Sequence, residues 1–155
     1  MSKTPNTLSA STASSAAALR VAVLRIYRAL RTRAEHHLTP SQGSALKRIE
    51  QSEPVRIGVL AHLEGISAAS MSKIVDSLVE DRYVERVADP LDGRASVVQL
   101  TTEGREIIHA IRTANTEALE SALESLSESE RSILRRSLPV LEKVAEALQL
   151  REPVS

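Results

Sequence analysis

The sequence predicts a mainly α-helical fold that carries one small β-hairpin. Apolar residues recur at steps of three and four along most of the 155-residue chain, which is the period of an amphipathic helix. Glycine and proline are scarce, with 5 and 6 residues, so long helices with few turns are expected. Between residues 83 and 100 the pattern changes to two short strand-like runs on either side of a turn, as in a hairpin.

The first 37 residues predict a tail followed by a long helix. Residues 1–14 are small and polar without apolar periodicity, so we expect a disordered tail. A helix is predicted over residues 15–37, because apolar side chains form one stripe at helical spacing. The stripe consists of Leu19, Val23, Ile26, Tyr27, Leu30 and Ala34.

The next segment predicts a second helix with a well-defined start. Thr39 is a good N-cap, Pro40 suits the first helical position, and Gln42 completes a capping box. The predicted helix covers residues 40–51. Its inner face consists of Ala45, Leu46 and Ile49.

Two short helices joined by a tight turn are predicted after Pro54. Residues 57–63 form the first, which closes at Gly65 in the left-handed conformation that such turns favour. Ser67 caps the second helix, which extends to Asp81. Its inner face consists of Met71, Ile74, Val75, Leu78 and Val79. Two helices in this arrangement are typical of a helix-turn-helix motif.

A β-hairpin is predicted directly after the second helix of this pair. Residues 83–88 and 95–100 form the strands, and Asp89–Arg94 lies between them as the turn. Pro90 favours the start of a turn, and the Asp-Gly pair at residues 92 and 93 allows positive φ. This is the position of the wing in a winged helix-turn-helix fold.

Two further helices complete the predicted fold. Thr101 or Thr102 caps a long helix that extends to about residue 126. A second capping box at residues 127–130 starts a last helix. Pro139 lies inside this last helix and is expected to kink or split it.

The outer face of the helix that Ser67 caps has the chemistry of a DNA-reading surface. Small side chains let a helix approach base edges closely, and hydroxyls donate hydrogen bonds to phosphates or bases. Lys73 supplies positive charge, and the helix N-terminus adds a partial positive charge. The candidate DNA-binding residues on this helix are Ser67, Ala68, Ser70, Met71, Ser72 and Lys73. The competing interpretation is that the serines only cap the helix and face solvent.

The predicted turn of the hairpin adds a second candidate contact. Arg94 follows the Asp-Gly pair, and an arginine at a hairpin tip can enter a narrow minor groove, where negative potential is concentrated. Asp92 or Asp89 is placed to orient it. The competing interpretation is an exposed arginine paired with a neighbouring aspartate, and for Arg94 taken alone this interpretation is the stronger one.

Composition excludes several function classes but leaves DNA binding undecided. Twenty basic and twenty acidic residues cancel, with net charges of +5 over residues 1–53, −2 over 54–105 and −3 over 106–155. The absence of cysteine excludes disulfides, thiolate zinc sites and thiol redox sensing. No apolar run approaches the roughly 18 residues of a membrane span. No secretory signal is present, so a cytoplasmic protein is expected.

The motifs, in this order and at this spacing, resemble the MarR family of bacterial transcription regulators over roughly residues 15–148. The matching stretches are LTPSQ (38–42), VRIGVLA (55–61), ISAASMSKIVDSL (66–78), YVER (83–86), DPLDGR (89–94) and LTTEG (100–104). The resemblance implies a homodimer built from the first and the last two helices. It also implies a recognition helix in the major groove, a wing arginine in the minor groove, and control, commonly repression, that a small ligand relieves.

The resemblance also implies a domain organisation and a set of partners. Residues 38–101 would form the winged helix-turn-helix DNA-binding domain, and residues 15–37 with 102–150 the helical dimerisation region. The expected partners are double-stranded DNA, a second copy of the chain and a small-molecule effector, without a membrane, in the bacterial cytoplasm near the nucleoid. Candidate ligand-pocket residues are Tyr27, Leu30, His37 and Ile111. They suit a hydrophobic core equally well, and the core is the stronger interpretation.

This chain departs from the family pattern at two places. Arg82 stands where the family usually has glycine after the recognition helix, so Arg82 would adopt the left-handed conformation at some cost. Ala68 and Ala69 stand where members often carry arginine or proline. Base readout is therefore expected to depend more on Lys73 and the neighbouring serines.

Other function classes find less support in the sequence. Glu35, His36, His37 and His109 are candidate metal ligands, but no two histidines have ligand spacing on one helix, so no metal or cofactor is predicted. Nothing pairs a nucleophile with a base and no glycine-rich loop is present, so no enzymatic function is predicted. The remaining alternative is a helical protein-interaction module that keeps the fold without binding DNA. The net charge of −2 over residues 54–105 favours that alternative.

Overall fold

A computed structural model describes residues 7–33 and 38–149 of the protein. Its elements in chain order are α1 (Thr7–Arg33), α2 (Pro40–Ser52), α3 (Ile57–Leu63), α4 (Ala68–Glu80), β1 (Val84–Asp89), β2 (Asp92–Leu100), α5 (Thr102–Glu124) and α6 (Glu128–Gln149). The predicted fold class, mainly helical with one antiparallel hairpin, is confirmed. The chain divides within α5 into two compact units, one ending at Asn115 and the other beginning at Thr116.

The first helix begins earlier than the sequence predicts. α1 starts at Thr7, so the expectation of a disordered tail over residues 1–14 is wrong for residues 7–14. This segment contains neither glycine nor proline, and alanine has the highest helix propensity, so no residue stops the helix from extending toward the N-terminus. Residues 1–6 and 34–37, which include the predicted end of this helix, lie outside the described residues.

Side-chain caps define the starts of α2 and α5, as the sequence predicts. At α2, Thr39 Oγ1 accepts the Gln42 backbone N–H at 3.3 Å, and Gln42 Oε1 accepts the Thr39 N–H at 2.8 Å. At α5, the Thr101 hydroxyl accepts the N–H of Gly104 at 3.0 Å. Each cap satisfies backbone donors that lack a partner within the helix, which stabilises it by about 1 kcal/mol.

The hydrophobic core of the first unit lies between α2, α3, α4, the hairpin and the start of α5. It consists of Ala45, Leu46, Ile49, Val55, Leu60, Ala61, Met71, Val75, Leu78, Val84, Val98, Leu100 and Ile108. Full burial of a Leu, Ile, Val or Met side chain contributes roughly 1.5–3 kcal/mol. Gly104 lets the first turn of α5 approach the hairpin, because a Cβ there would overlap the Tyr83 carbonyl oxygen. This core therefore joins the helix-turn-helix to the hairpin.

The hairpin, which we call the wing, is paired closer to its tip than the sequence predicts. β1 and β2 pair up to the facing residues Asp89 and Asp92, with a β-bulge after Ala88. Only Pro90 and Leu91 remain as the turn, so the expectation of a longer turn with positive φ at its Asp-Gly pair is wrong. The physical reason is the Asp89 carboxylate, which accepts the Leu91 N–H at 2.9 Å and closes the turn early.

Two residues take the left-handed conformation that is expected for them, one from its turn and the other from the family resemblance. Gly65 in the turn after α3 has φ +64°, and Arg82 after α4 has φ 62°. For a residue with a Cβ this conformation costs roughly 1–2 kcal/mol. The reversal at Arg82 lets the Tyr83 N–H donate to the Leu78 carbonyl at 2.9 Å. The chain therefore passes directly from α4 into the wing.

The second unit consists of the end of α5 and α6. The predicted capping box is present, since the Ser127 N–H donates to Glu130 Oε2 at 2.8 Å and the Glu130 N–H donates to Ser127 Oγ at 3.3 Å. α6 then continues through Pro139, so of the two expected outcomes the split is wrong, and the kink stays a prediction. Proline removes one backbone donor, and the hydrogen bonds on either side keep this 22-residue helix continuous.

Candidate nucleic-acid interface

The helix-turn-helix consists of α3, α4 and the turn between them. The turn is closed by a backbone hydrogen bond from the Ile66 N–H to the Ala61 carbonyl at 3.0 Å. Ser67 then caps α4, because its Oγ accepts the Ser70 backbone N–H at 3.1 Å. The turn and the cap together set the direction in which α4 leaves α3.

α4 has one buried face and one exposed face. Met71, Val75 and Leu78 are fully buried, at the spacing of four and three residues that places them on the same side of a helix. Met71 therefore points into the core, and its prediction as a DNA contact is wrong. The exposed N-terminal half of α4, taken with its cap, consists of Ser67, Ala68, Ala69, Ser70 and Lys73, with Ser72 half-buried at its edge.

Arg86, which the sequence analysis did not single out, connects the wing to α4. From β1 its Nη2 donates to Asp76 Oδ1 at 2.5 Å and to Ser72 Oγ at 3.4 Å. Ser72 thus lies where α4 meets the wing. An arginine on the first strand of the predicted hairpin was a visible signal, but its partners on α4, ten and fourteen residues earlier, depend on tertiary geometry.

α2 supports the turn of the helix-turn-helix. Arg48 Nε donates to Glu64 Oε1 at 3.2 Å, and the Ser44 hydroxyl donates to the second oxygen of the same carboxylate. The Glu64 side chain is only 17% exposed, so its interaction with Arg48 is partly shielded from solvent. The two contacts hold the turn before α4 against α2.

Arg94 lies on β2 rather than at the tip of the hairpin. Its backbone N–H donates to Asp92 Oδ1 at 3.2 Å, so Asp92 holds the main chain of Arg94. The side chain is exposed, and its guanidinium forms no ion pair within the part of the chain that the structure describes. The pairing of Arg94 with a neighbouring aspartate, which the sequence left open, is not observed there.

Asp89 turns away from Arg94 and binds Arg56 instead. Asp89 is 7% exposed, and its Oδ2 accepts a hydrogen bond from Arg56 Nε at 2.7 Å. The Leu91 N–H and, after it, the Arg56 guanidinium hold the pKa of Asp89 below its ordinary value, because both favour the charged carboxylate. Sequence reasoning missed Arg56. The available signal was an arginine at a helix start, where serine, threonine, aspartate or asparagine is favoured.

A cavity of about 660 Å³ lies in the first unit beside the start of α2. Tyr27 and Leu30 from α1 and Ile111 from α5 line this cavity, so the structure brings three of the candidate pocket residues together. The fourth, His37, lies outside the described residues. Tyr27 is 58% exposed, which argues against a core role for it within this unit.

Neither a metal-binding cluster nor a membrane-spanning helix is found among the described residues. The described residues contain no group of three or more His, Cys, Asp or Glu side chains that could hold a metal ion. Glu35, His36 and His37 lie outside them. Within residues 7–33 and 38–149, no helix combines the length and the apolar character needed to cross a membrane.

Comparison with known sequences shows relatives along most of the chain. The family model described as MarR family matches residues 38–96. An HTH-type transcriptional regulator of Mycobacterium bovis is 35% identical over 124 residues, which cover 79% of this chain and 87% of the relative. An HTH-type transcriptional regulator of Mycobacterium tuberculosis matches with the same identity and coverage.

Comparison with solved structures shows the same fold. A putative transcriptional regulator of Pseudomonas aeruginosa is 28% identical with a TM-score of 0.74, covering 88% of this chain and 96% of that one. A mutant of S. aureus MepR bound to an oligodeoxyribonucleotide is 19% identical with a TM-score of 0.67, covering 84% of this chain and 96% of that one. The MepR likeness concerns the fold alone. With its winged helix-turn-helix and its identity to the mycobacterial regulators, the chain belongs to the MarR family of HTH-type transcriptional regulators.

Proposed function

We propose that this regulator binds double-stranded DNA through the exposed N-terminal half of α4 and through the wing. One observation carries the proposal: both surfaces present a cation, Lys73 on α4 and Arg94 on β2, that forms no ion pair among the described residues. The MepR chain, which shares the fold, is bound to an oligodeoxyribonucleotide, and this supports the same use of the fold here. Membership of a family of transcriptional regulators agrees with the prediction of no enzymatic function.

The exposed face of α4 suits the major groove. Ala68 and the small serines allow close approach to base edges. The Ser67 and Ser70 hydroxyls lie 2.9 Å apart, so one donates to the other and a single hydroxyl hydrogen remains for an outside acceptor. Lys73 and the free backbone N–H groups at the start of α4 would bind phosphates, which sets the register of the helix. Arg94 would enter the adjacent minor groove.

We propose that a homodimer binds the DNA, with the dimerisation region formed by residues 15–37 and 102–150. Two helices expose rows of large apolar side chains. On α1 these are Val21, Val23, Leu24, Ile26 and Tyr27, and on α6 they are Ile133, Leu138, Val140, Leu141, Val144 and Leu148. Exposed apolar rows on a helix are typical of protein interfaces, and a second copy of the chain would remove each row from water.

A twofold-symmetric dimer implies a palindromic operator. Its two recognition helices would enter successive major grooves on one side of the duplex, with half-sites about 34 Å apart. The winged helix-turn-helix domain, residues 38–101, would make all of the DNA contacts in each half-site. Because the protein acts on chromosomal DNA in this proposal, we place it in the bacterial cytoplasm.

We propose that the regulator is a repressor and that a small-molecule effector, bound in the cavity beside α2, releases it from its operator. The volume lies within the range of roughly 300–1,000 Å³ that is typical of ligand sites. Arg31 and Lys47 line the cavity without an ion pair in the described part of the chain, and Asn115 Oδ1 is buried without a hydrogen-bond partner. These groups favour an anionic ligand that also carries a hydrogen-bond donor. Its binding would change the spacing of the recognition helices.

Selection of bound fragments from random DNA tests the proposed function. We expect an enriched palindrome with half-sites about one helical turn apart. Titration of the selected duplex and of a scrambled duplex should show an affinity that falls steeply with salt, because binding releases counterions. Sedimentation should show a dimer on one duplex. A reporter gene placed behind the selected sequence should be repressed by the protein.

The same experiments discriminate the alternative of a protein-interaction module. Such a module would enrich no sequence and would show no salt-dependent affinity for either duplex. A monomer that binds a single half-site would contradict the homodimer while leaving DNA binding intact. Reporter expression that rises as more protein is supplied would contradict the repressor role but leave DNA binding and the homodimer intact.

A further inference from the structure

We propose that Arg56 is a positioning residue for the wing. Arg56 clamps two facing carboxylates at the tip of the wing and thereby sets the direction of Arg94. Arg56 precedes the first residue of α3, whereas Asp89 ends β1 and Asp92 begins β2. The inference rests on the proposed function, because it concerns the same wing that we propose to contact DNA. It adds a residue that lies outside both candidate DNA-binding surfaces.

The clamp offsets the repulsion between two facing carboxylates of the wing. Asp89 and Asp92 are opposite each other in the strand register, and like charges at facing positions destabilise a strand pair. Arg56 approaches both carboxylates: its Nη2 lies 2.5 Å from Asp89 Oδ2 and 3.7 Å from Asp92 Oδ2. Its Nε donates a further hydrogen bond to Asp89 Oδ2 at 2.7 Å. One guanidinium thus compensates two carboxylates that would otherwise repel each other.

Each carboxylate uses its second oxygen to hold the wing backbone. Asp89 Oδ1 accepts the Leu91 N–H at 2.9 Å, and Asp92 Oδ1 accepts the Arg94 N–H at 3.2 Å. A continuous series of ion pairs and hydrogen bonds therefore extends from the start of α3 to the backbone of Arg94. Without Arg56, the two carboxylates would move apart and release these backbone contacts.

Arg56 is itself held in place by the sheet. The preceding residue, Val55, exchanges two backbone hydrogen bonds with Val98 of β2, at 3.0 and 2.8 Å. Arg56 occupies the N-cap position of α3 but makes no side-chain cap, and an uncapped position forgoes about 1 kcal/mol of helix stability. The clamp explains why an arginine stands where helix formation alone favours a small polar residue.

Amide hydrogen exchange on the free protein tests the clamp without DNA. Arg56→Gln is expected to raise the exchange rates of the Leu91 and Arg94 amides by about tenfold, because local opening of the wing becomes easier. Arg105→Gln is the matched control, since it removes the same charge from an ion pair with Glu53 and should leave both rates unchanged. Unchanged rates in Arg56→Gln would overturn the proposal.

A conservative variant separates the clamp from a general effect on folding. Arg56→Lys keeps the charge but offers a single ammonium group, so it should restore part of the protection at Leu91 and Arg94. If Arg56→Gln fails to fold, Arg56→Lys tests the clamp by itself. This variant should then show faster exchange than the wild-type chain at the Leu91 and Arg94 amides and at no others. Equal exchange, or faster exchange throughout the chain, would overturn the proposal.

Binding of the selected duplex then tests the connection to Arg94. Arg56→Gln is expected to weaken binding about tenfold in the wild-type chain and to have no further effect in Arg94→Ala, because the clamp acts through that side chain. Additive losses would show that Arg56 acts on DNA by itself and would overturn the proposal. If the wild-type protein binds no duplex, the proposed function fails, while the exchange rates still decide on the clamp.

A suppressor variant tests the electrostatic cause. Asp92→Asn removes one of the facing charges but keeps an oxygen that accepts the Arg94 N–H. Adding Asp92→Asn to Arg56→Gln should therefore slow amide exchange at Leu91 and Arg94 and strengthen duplex binding. The same substitution in the wild-type chain should change both quantities less. Equal effects in both chains would overturn the clamp as a remedy for repulsion between Asp89 and Asp92.

Discussion

Gln42 on α2 donates a hydrogen bond from Nε2 to Ser77 Oγ on α4 at 2.9 Å. The same nitrogen lies 3.3 Å from Asp81 Oδ2, and Gln42 Oε1 accepts the Thr39 N–H. A single side chain, only 8% exposed, therefore starts α2 and holds the C-terminal half of the recognition helix α4. The capping box that the sequence predicts thus has a second role between two helices.

Gln42→Ala should lower the free energy of unfolding by about 1–2 kcal/mol, because the capping hydrogen bond from the Thr39 N–H and the hydrogen bond to Ser77 Oγ are both lost. Urea unfolding followed by circular dichroism measures the change. Gln51→Ala is the matched control, since Gln51 is exposed on the same helix. Equal losses from both substitutions would contradict the role of Gln42.

Arg94→Ala should weaken binding of the selected duplex by roughly 1–3 kcal/mol, because the wing loses its only proposed groove contact. Anisotropy titration measures the affinity, and sedimentation should show an unchanged dimer. Arg105→Ala removes an equal charge from an ion pair and should have a smaller effect. Unchanged affinity in Arg94→Ala would show that the wing assignment is wrong.

Lys73→Gln should weaken binding to the selected and the scrambled duplex by similar factors, since a phosphate contact carries no sequence information. The slope of log affinity against log salt should become shallower by about 1, which corresponds to one lost phosphate contact. Titrations at four salt concentrations give the slope. A loss confined to the selected duplex would instead indicate that Lys73 reads a base.

Gly104→Ala should destabilise the fold by about 1–3 kcal/mol or more, because the added Cβ would overlap the Tyr83 carbonyl oxygen and force α5 away from the wing. Thermal and urea unfolding measure the loss. Gly58→Ala is the control, because a Cβ at this helical position meets no atom within 4 Å. That variant should be neutral or up to about 1 kcal/mol more stable. Similar behaviour of the two variants would contradict the close approach at Gly104.

The pH dependence of stability should report the interactions of Asp89. The Leu91 N–H and Arg56 lower the pKa of Asp89 in the folded state, so the carboxylate stabilises the fold above its ordinary pKa of about 3.9. This contribution is lost as the pH falls through the lower, folded-state pKa. The difference in unfolding free energy between the wild-type chain and Asp89→Asn should therefore be constant near neutral pH and shrink below about pH 4. If the difference in unfolding free energy stayed constant at acid pH, the charged Asp89 carboxylate would not be its source.

Local signals along the chain predicted most of the secondary structure. Gly65 and the Thr39 cap act within a few residues of themselves, through backbone conformation or short-range hydrogen bonds, and the structure confirms both of them. The left-handed conformation of Arg82 was implied by the family resemblance, and the structure confirms it as well. The predicted tail was wrong where helix propensity extended α1 to Thr7. For the candidate site, local patterning placed Ser67, Ser70 and Lys73 on an exposed face, but it also offered Met71, which shares the buried face of α4.

The sequence by itself determined the order of the helices, the helix-turn-helix and the existence of a wing, because periodicity, caps and turn residues act over short distances. The tertiary structure alone decided which side chains meet. Arg56 and Asp89 are 33 residues apart, and Gln42 and Ser77 are 35 apart, so no local pattern pairs them. Packing of the shared core brings these partners within hydrogen-bond distance, and the direction of Arg94 depends on that packing.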